Sequence, residues 1–191
     1  MGVRVKSGMK KVAFYFTALI VFYWLFIRQR RITEKYEIVI PDVVPKSIWE
    51  YWADFSNYKR INPTVLDFEI DYERGTYDNW EYGVTYTERL TKLPFTVTIK
   101  GKFIVTPEQK HGHFAEPFRI ISEHDSCLWI FCSHSDADMT FVATHDGKST
   151  RITETVTFET PVMMTWYYIS EFKMQRQYIT EQLRTIDFST V

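Results

Sequence analysis

Residues 38–63 read IVIPDVVPKSIWEYWADFSNYKRINP, and this stretch decides how the rest of the chain is read. Its head belongs to KYEIVIP (residues 35–41), where Tyr36, Ile38 and Ile40 alternate with Glu37 and Val39; this predicts a strand. Pro45 suits the first turn of a helix, because the N–H it lacks is one that a helix start leaves unbonded. Ile48, Trp52 and Phe55 follow at i, i+4 and i+7, which puts them on one helical face. Asp54, Ser56 and Asn57 break that pattern. A second short helix is expected over Ser56–Ile61, stopped by Asn62-Pro63 because the residue before a proline disfavours helical backbone.

Beyond Pro63 the apolar period drops to two. Val65–Tyr72 is one strand candidate, and in the next Tyr82, Val84 and Tyr86 alternate with Gly83, Thr85 and Thr87. Phe95, Val97, Ile99, Phe103 and Val105 share one face with Gly101, while Thr96, Thr98, Lys100 and Lys102 share the other. That is the pattern of an antiparallel sheet with one packed and one wet face; Gly101 in the apolar row predicts a bend or bulge. Phe118–Glu123, Cys127–His134, Met139–Thr144 and Arg151–Glu159 read as further strands, with a tight turn at Asp146-Gly147. The chain then returns to helix. Thr160 is a good N-cap, Pro161 a good first residue, and nothing breaks the helix from Val162 to Ile186. Ile169, Phe172, Ile179, Leu183 and Ile186 form its apolar stripe, over a length of about 37 Å at 1.5 Å per residue.

At the other end of the chain, VAFYFTALIVFYWLFI (residues 12–27) is uninterrupted by polar charge. Arg4, Lys6, Lys10 and Lys11 precede it, Arg28, Arg30 and Arg31 follow it, and the first 31 residues contain no Asp or Glu. This predicts a transmembrane anchor over residues 1–31, followed by one domain over residues 32–191. A cleaved signal peptide would need a small-residue site after the apolar run, where Phe26, Ile27, Arg28, Gln29 and Arg30 stand instead. Sixteen apolar residues span roughly 24 Å, which suits a thin bilayer such as the endoplasmic reticulum or another intracellular membrane. The flanking charges are too evenly divided to set orientation. The lack of an Asn-x-Ser/Thr acceptor and the presence of only Cys127 and Cys132 favour a cytosolic domain. Residues 28–33 read as the connector.

Residues 32–191 hold sixteen Lys/Arg against twenty-four Asp/Glu, a formal charge of −8, which speaks against a nucleic-acid partner. The expected partners are the bilayer and a hydrophobic small molecule or lipid; oligomeric state is not legible. No phosphate loop, G-x-S-x-G elbow or other cofactor fingerprint occurs, so no cofactor is expected.

Strand, two short helices, a run of strands and a long last helix is the element order of the helix-grip fold. The chain resembles the START-like (SRPBCC) superfamily, and within it the polyketide cyclase/dehydrase and coenzyme-Q-binding branch. The resemblance is carried by residues 38–63, by DGKSTRITETVTF (residues 146–158) and by ETPVMMTWYYISEF (residues 159–172), and it spans nearly all of residues 34–188. It implies an α+β domain in which a curved antiparallel sheet of about seven strands wraps the long C-terminal helix around an apolar cavity.

Against that frame, Trp49, Trp52, Tyr82, Tyr86, Phe103, Trp129, Phe141, Trp166 and Phe172 are candidate ligand-contacting rings; the same rings would serve equally to fill a core. Glu154 sits in the apolar row Ile152, Glu154, Val156, Phe158. It is either a carboxylate facing a ligand, and so the one weak catalytic candidate, or the partner of a nearby arginine. His111, His113, His124, His134 and His145, with Asp136 and Asp138, include one zinc-like pair (His111, His113), but spacing fixes no third ligand and no metal is expected. Cys127 and Cys132, read on one strand, fall on opposite faces and are expected to stay as buried thiols. Three functions remain open. The preferred one is a membrane-anchored, non-enzymatic carrier of a sterol, phospholipid or isoprenoid; the others are a cyclase/dehydrase-type enzyme and a membrane-tethered adaptor. A ligand-sized cavity of about 300 Å³ or more would separate the first two from the third.

Overall fold

Glu34 faces Val156 and Ile40 faces Thr150, so the first strand of the domain pairs with the last. A computed structural model describes residues 3–111, 114–128 and 131–188. The helix α1 (Val3–Phe22) runs on through a π-helical turn (Tyr23–Ile27) and gives way to β1 (Gln29–Ile40). Then come α2 (Pro45–Ala53), α3 (Phe55–Ile61), β2 (Val65–Thr76), β3 (Asn79–Arg89) and β4 (Thr96–Thr106). A small hairpin of β5 (Gln109–His111) and β6 (Phe114–Glu116) precedes β7 (Phe118–Leu128), β8 (Phe131–Ala143) and β9 (Thr150–Pro161). After a single 3-10 turn (Val162–Met164), α4 (Thr165–Leu183) closes the domain.

The main sheet has seven strands in the order β1-β9-β8-β7-β4-β3-β2, every neighbouring pair antiparallel. Antiparallel neighbours joined by tight turns leave one face to be covered, and α2, α3 and α4 cover it. Asp54 ends α2 and starts α3: its carboxylate accepts a hydrogen bond from the Ser56 amide at 2.8 Å. The aromatic and aliphatic face of these two helices buries Ile48, Trp49, Trp52 and Phe55 against Tyr82, Phe141, Ile179 and Leu183. This half of the interior is packed solid.

Four sequence expectations change in detail. The last helix begins at Thr165, because Thr160 and Pro161 finish β9 instead of capping a helix. Residues 29–33 extend β1 along the whole of β9, so the connector shrinks to Arg28, whose guanidinium lies 3.8 Å over the Trp24 ring. Helix and π turn together give an apolar, unburied span over Gly8–Ile27, 20 residues long. That is about 30 Å, long enough to cross an average bilayer.

The fourth change is a correction. Cys127 and Cys132 lie on two strands rather than one: β7 ends at Leu128, β8 begins at Phe131, and the two cysteines face each other in register and form a disulfide. Residues on opposite faces of a single strand become direct neighbours once the chain doubles back between them. The small number of cysteines therefore no longer argues for a reducing compartment.

Candidate functional site

Near the start of α4 the interior opens. A cavity of about 130 Å³ lies between this helix and the concave face of the sheet. Val97, Ile99, Val156 and Phe158 supply its sheet wall, and Phe172 its helix wall. Leu90, Leu128, Met164 and Tyr168 frame its mouth. The loop after β3 is pinned to α4 across that mouth: the Thr91 amide and hydroxyl donate to Glu171 at 2.9 and 2.6 Å, and Lys92 donates to Ser170.

The floor is polar. Tyr86 pairs with His124 Nδ1 at 3.3 Å, and His124 Nε2 reaches Ser122 at 2.9 Å. Gly101 makes this possible. It faces His124 across β4 and β7, and a Cβ added there would come within 3.2 Å of Nδ1 and 3.0 Å of the Phe103 ring. Its place in the apolar row thus marks a close approach of side chains rather than a break in the strand. Burial pushes the His124 imidazole down to about 4, so the ring is neutral at physiological pH, with one nitrogen donating and the other accepting. Burial likewise raises the Tyr86 phenol well above its ordinary value.

Arg176 comes from α4 into the same floor and donates through Nε and Nη2 to Glu154, which is only 2% exposed. Burial opposes the guanidinium's charge, but Glu154 and Tyr58 outweigh it and hold the pKa above the usual arginine value. Among the described residues Arg176 Nη1 and the Tyr167 hydroxyl make no well-aligned hydrogen bond, although Tyr58 lies close to Arg176 and Glu171 close to Tyr167. Glu88 is also buried. It accepts from Thr64, from Asn62 at 3.4 Å and from Gln175 at 2.8 Å, and burial raises its pKa. An apolar-walled space with spare donors at its base suits a molecule with a greasy body and a hydrogen-bond acceptor at one end.

The candidate rings scatter across the molecule. Tyr86 and Phe172 line the cavity. Trp52, Tyr82 and Phe141 belong to the packed half, with Phe103 stacked on Tyr82 at 4.8 Å. Trp49 lines a separate, open groove of about 360 Å³ with Tyr77 and Trp80, at the opposite end of the sheet; that groove is larger but lacks the buried polar cluster. Trp166 is 66% exposed beside the mouth. Trp129 lies outside the described residues. Glu154 sits behind Arg176 as its ion-pair partner.

The histidines separate too. His134 is held between Asp125 and Asp136 at 2.8 and 2.9 Å, Asp138 is paired with Arg119, and His113 lies outside the described residues. Among the described residues no three His, Cys, Asp or Glu side chains gather to hold a metal.

Arg176, Glu88, Tyr58 and Gln175 were not singled out from the sequence, and His124 was weighed only among the histidines for a metal. Two of them carried a signal. Arg176 falls on the stripe Phe172, Arg176, Ile179, Leu183, and Glu88 extends the row Tyr82, Val84, Tyr86. A charged residue in an apolar row is a candidate for a buried, paired group. His124 and Tyr58 need the strand register and the helix docking to be found.

No protein-family model matches the chain, and no curated protein matches it in sequence. Solved structures do match in fold. The ZhuI aromatase/cyclase from Streptomyces sp. R1128 is 14% identical with a TM-score of 0.61, over 81% of this chain and 92% of that one. Ara h 8.0201 is 14% identical with a TM-score of 0.56, over 82% and 100%. A START superfamily protein from Mycobacterium smegmatis is 12% identical with a TM-score of 0.53, over 82% and 99%. A seven-stranded antiparallel sheet gripping a long C-terminal helix, shared at this coverage, identifies the domain as having the START-like, helix-grip fold.

Proposed function

We propose that this is a membrane-anchored binding domain for a lipid-like ligand, which it takes up polar end first. One observation carries the reading: the cavity has apolar walls, and among its lining Arg176 Nη1 and, nearer Glu171, the Tyr167 hydroxyl are buried without a well-aligned hydrogen bond. A buried donor left unpaired is destabilising, and a ligand oxygen would relieve it. Arg176 is already neutralised by Glu154, and Glu88 adds a carboxyl rather than a cation. The floor therefore has no spare positive charge for a phosphate. It favours a neutral hydroxyl or carbonyl, as on a sterol or an oxygenated isoprenoid, over a phospholipid headgroup.

By volume alone, about 130 Å³ falls short of the roughly 300 Å³ that separates a carrier or enzyme from a membrane-tethered adaptor, so size favours the adaptor and the carrier reading rests on the polar floor. The cavity admits the polar end and a few carbons, with the remaining tail outside the mouth. The anchor α1 would keep that mouth close to the ligand's own solvent, raising effective concentration. The disulfide Cys127–Cys132 favours an oxidising compartment for the domain, on the lumenal or exoplasmic side. The test is uptake by delipidated full-length protein from vesicles carrying a radiolabelled sterol, polyprenol or phospholipid. We expect retention of a neutral lipid and its loss in Tyr167→Phe/Arg176→Lys. Failure to retain any of the three would end this reading.

A second reading has its own support. Tyr86, His124 and Glu88 bring a phenol, a neutral imidazole and a carboxyl of raised pKa to one cavity, which suits proton transfer of the cyclase/dehydrase kind. It requires a substrate turnover that Glu88→Gln abolishes while binding persists; turnover unchanged in that variant rules it out.

A further inference from the structure

Antiparallel pairing brings one set of chain ends together. β1, β4 and β8 begin, and β3, β7 and β9 end, at the same edge of the sheet, because Gln29 faces Pro161, Cys127 faces Cys132 and Arg89 faces Thr96. The described segments that meet there are residues 28–33, 62–64, 89–95, 126–128, 131–133 and 160–170. In a chain with twenty-four acidic residues these segments contain none, while they carry Arg28, Arg30, Arg31, Arg89 and Lys92. The carboxylates that border these segments are engaged: Glu34 with Lys173, Glu88 with Thr64 and Gln175, Asp125 with His134, Glu159 with Arg31 and Glu171 with Thr91. The same edge is apolar at its tips. Phe95 is 37%, Met163 38% and Trp166 66% exposed, and half-buried Leu90, Leu93 and Leu128 lie between them. The cavity mouth opens inside this ring.

The chain also limits what can cover it. Only Arg28 separates the π-helical turn from β1, and that turn packs on Val162–Met164. With one residue between them, Ile27 and Gln29 are at most about 7 Å apart, so the β1–β9 side of this edge stays close to the end of the apolar helix.

The geometry points to this edge as a membrane-docking rim: the cavity mouth is pressed onto the phospholipid bilayer that α1 crosses. Leu93–Phe95, Leu128, Met163 and Trp166 enter the headgroup–acyl boundary, and Arg28, Arg30, Arg89 and Lys92 meet lipid phosphates, while Arg31 stays paired with Glu159. Apolar tips ringed by Lys and Arg, without acidic residues, are the chemistry of such a boundary. A ligand then passes from leaflet to cavity without crossing water, and its tail need not leave the bilayer. The inference rests on the reading of α1 as an anchor, and it deepens the proposed function by naming the surface from which the site is loaded.

The test uses the full-length chain in vesicles of phosphatidylcholine and phosphatidylglycerol with brominated acyl chains. A polarity-sensitive fluorophore is attached to Pro94→Cys, on the half of the sheet farthest from α1, and in a second protein to Asp78→Cys, at the opposite end of β3. Insertion to the depth of an interfacial residue is expected to quench the label at position 94 about twofold and shift its emission to the blue, leaving position 78 unchanged. A label at Trp166→Cys, across the mouth, is expected to behave like position 94. Arg89→Glu/Lys92→Glu is expected to reduce the quenching at position 94 while the protein stays in the vesicles. Labels at positions 94 and 78 with the same unquenched emission would overturn the rim. Quenching without ligand uptake would leave the rim standing and remove the carrier. Uptake with position 94 in water would remove the rim alone. Extraction of the protein by alkaline carbonate would remove the anchor on which the rim depends.

Discussion

The two halves of the sheet's concave face are built from the same kinds of residue and end in different states. In the half covered by α2, α3 and the end of α4, rings interlock: Trp52 meets Phe141 at 6.2 Å, Phe55 meets Tyr86 at 5.1 Å, and Ile48, Phe141, Ile179 and Leu183 are all but inaccessible. In the half beneath the start of α4, one helix faces five strands alone. There the interior holds Arg176, Glu88, His124 and Tyr86 around open space. What distinguishes the halves is how many helices cover the sheet. Additional helices packed directly on the strands exclude water and close the core. A single helix leaves a gap that polar groups must line and bond.

That contrast is open to direct attack. Phe141→Ala in the packed half is expected to destabilise by about 3–5 kcal/mol, as large-to-small core changes do, against under about 1 kcal/mol for Met164→Ala at the mouth. Denaturant unfolding of the detergent-solubilised protein measures both, and equal losses would abolish the distinction. Arg176→Met would strand a buried carboxylate and is expected to lose about 3–5 kcal/mol, most of it regained in Arg176→Met/Glu154→Leu. If the double variant stays as unstable as the single, the pair is doing more than neutralising itself.

Glu88→Gln is expected to act in the opposite direction and less strongly. The folded-state pKa of Glu88 is raised by burial, so the wild type loses stability as pH rises from about 4.3 through that raised value. The amide keeps an oxygen for its three donors and has no charge to bury. Its Tm should exceed that of the wild type at pH 8 and match it at pH 4; a lower Tm at both would mean the carboxylate is needed.

The smallest effect concerns the wet face. Hydrogen bonds to Asp125 and then Asp136 raise the pKa of His134 against a smaller opposing effect of burial. Its contribution is full below the unfolded value of about 6.5 and is lost as pH rises through the folded one. Solvent screening keeps it under about 1 kcal/mol. A Tm difference between wild type and His134→Gln that grows with pH would contradict this sign.

Much of the architecture was readable residue by residue. The alternation from Phe95 to Val105 placed Val97, Ile99 and Val105 inside, where they are buried, and the Asp54 break does separate two short helices. Alternation survives because a strand's two faces meet different solvents. The site was less legible. Arg176 and Glu88 could be marked as charges in apolar rows, but the rows do not say that they meet. The Cys127–Cys132 pair was misread for a related reason. Spacing along a strand is meaningful only while the strand continues, and here β7 ends at Leu128 and Cys132 belongs to β8.

The sequence by itself determined the succession of strand, two helices, strands and last helix, the apolar helix at the start, the inward faces of β1, β3, β4 and β9 and the negative charge of the domain, but not the extents of β7 and β8. These follow from hydrophobic period and composition, which act within a few residues. Tertiary structure alone decided which aromatic rings are locked in a core and which border a cavity. It also decided that Gly101 yields its space to His124, and that five basic side chains from distant segments share one edge. Such outcomes depend on strand register and on how many helices cover the sheet, and both are settled between residues far apart in the chain.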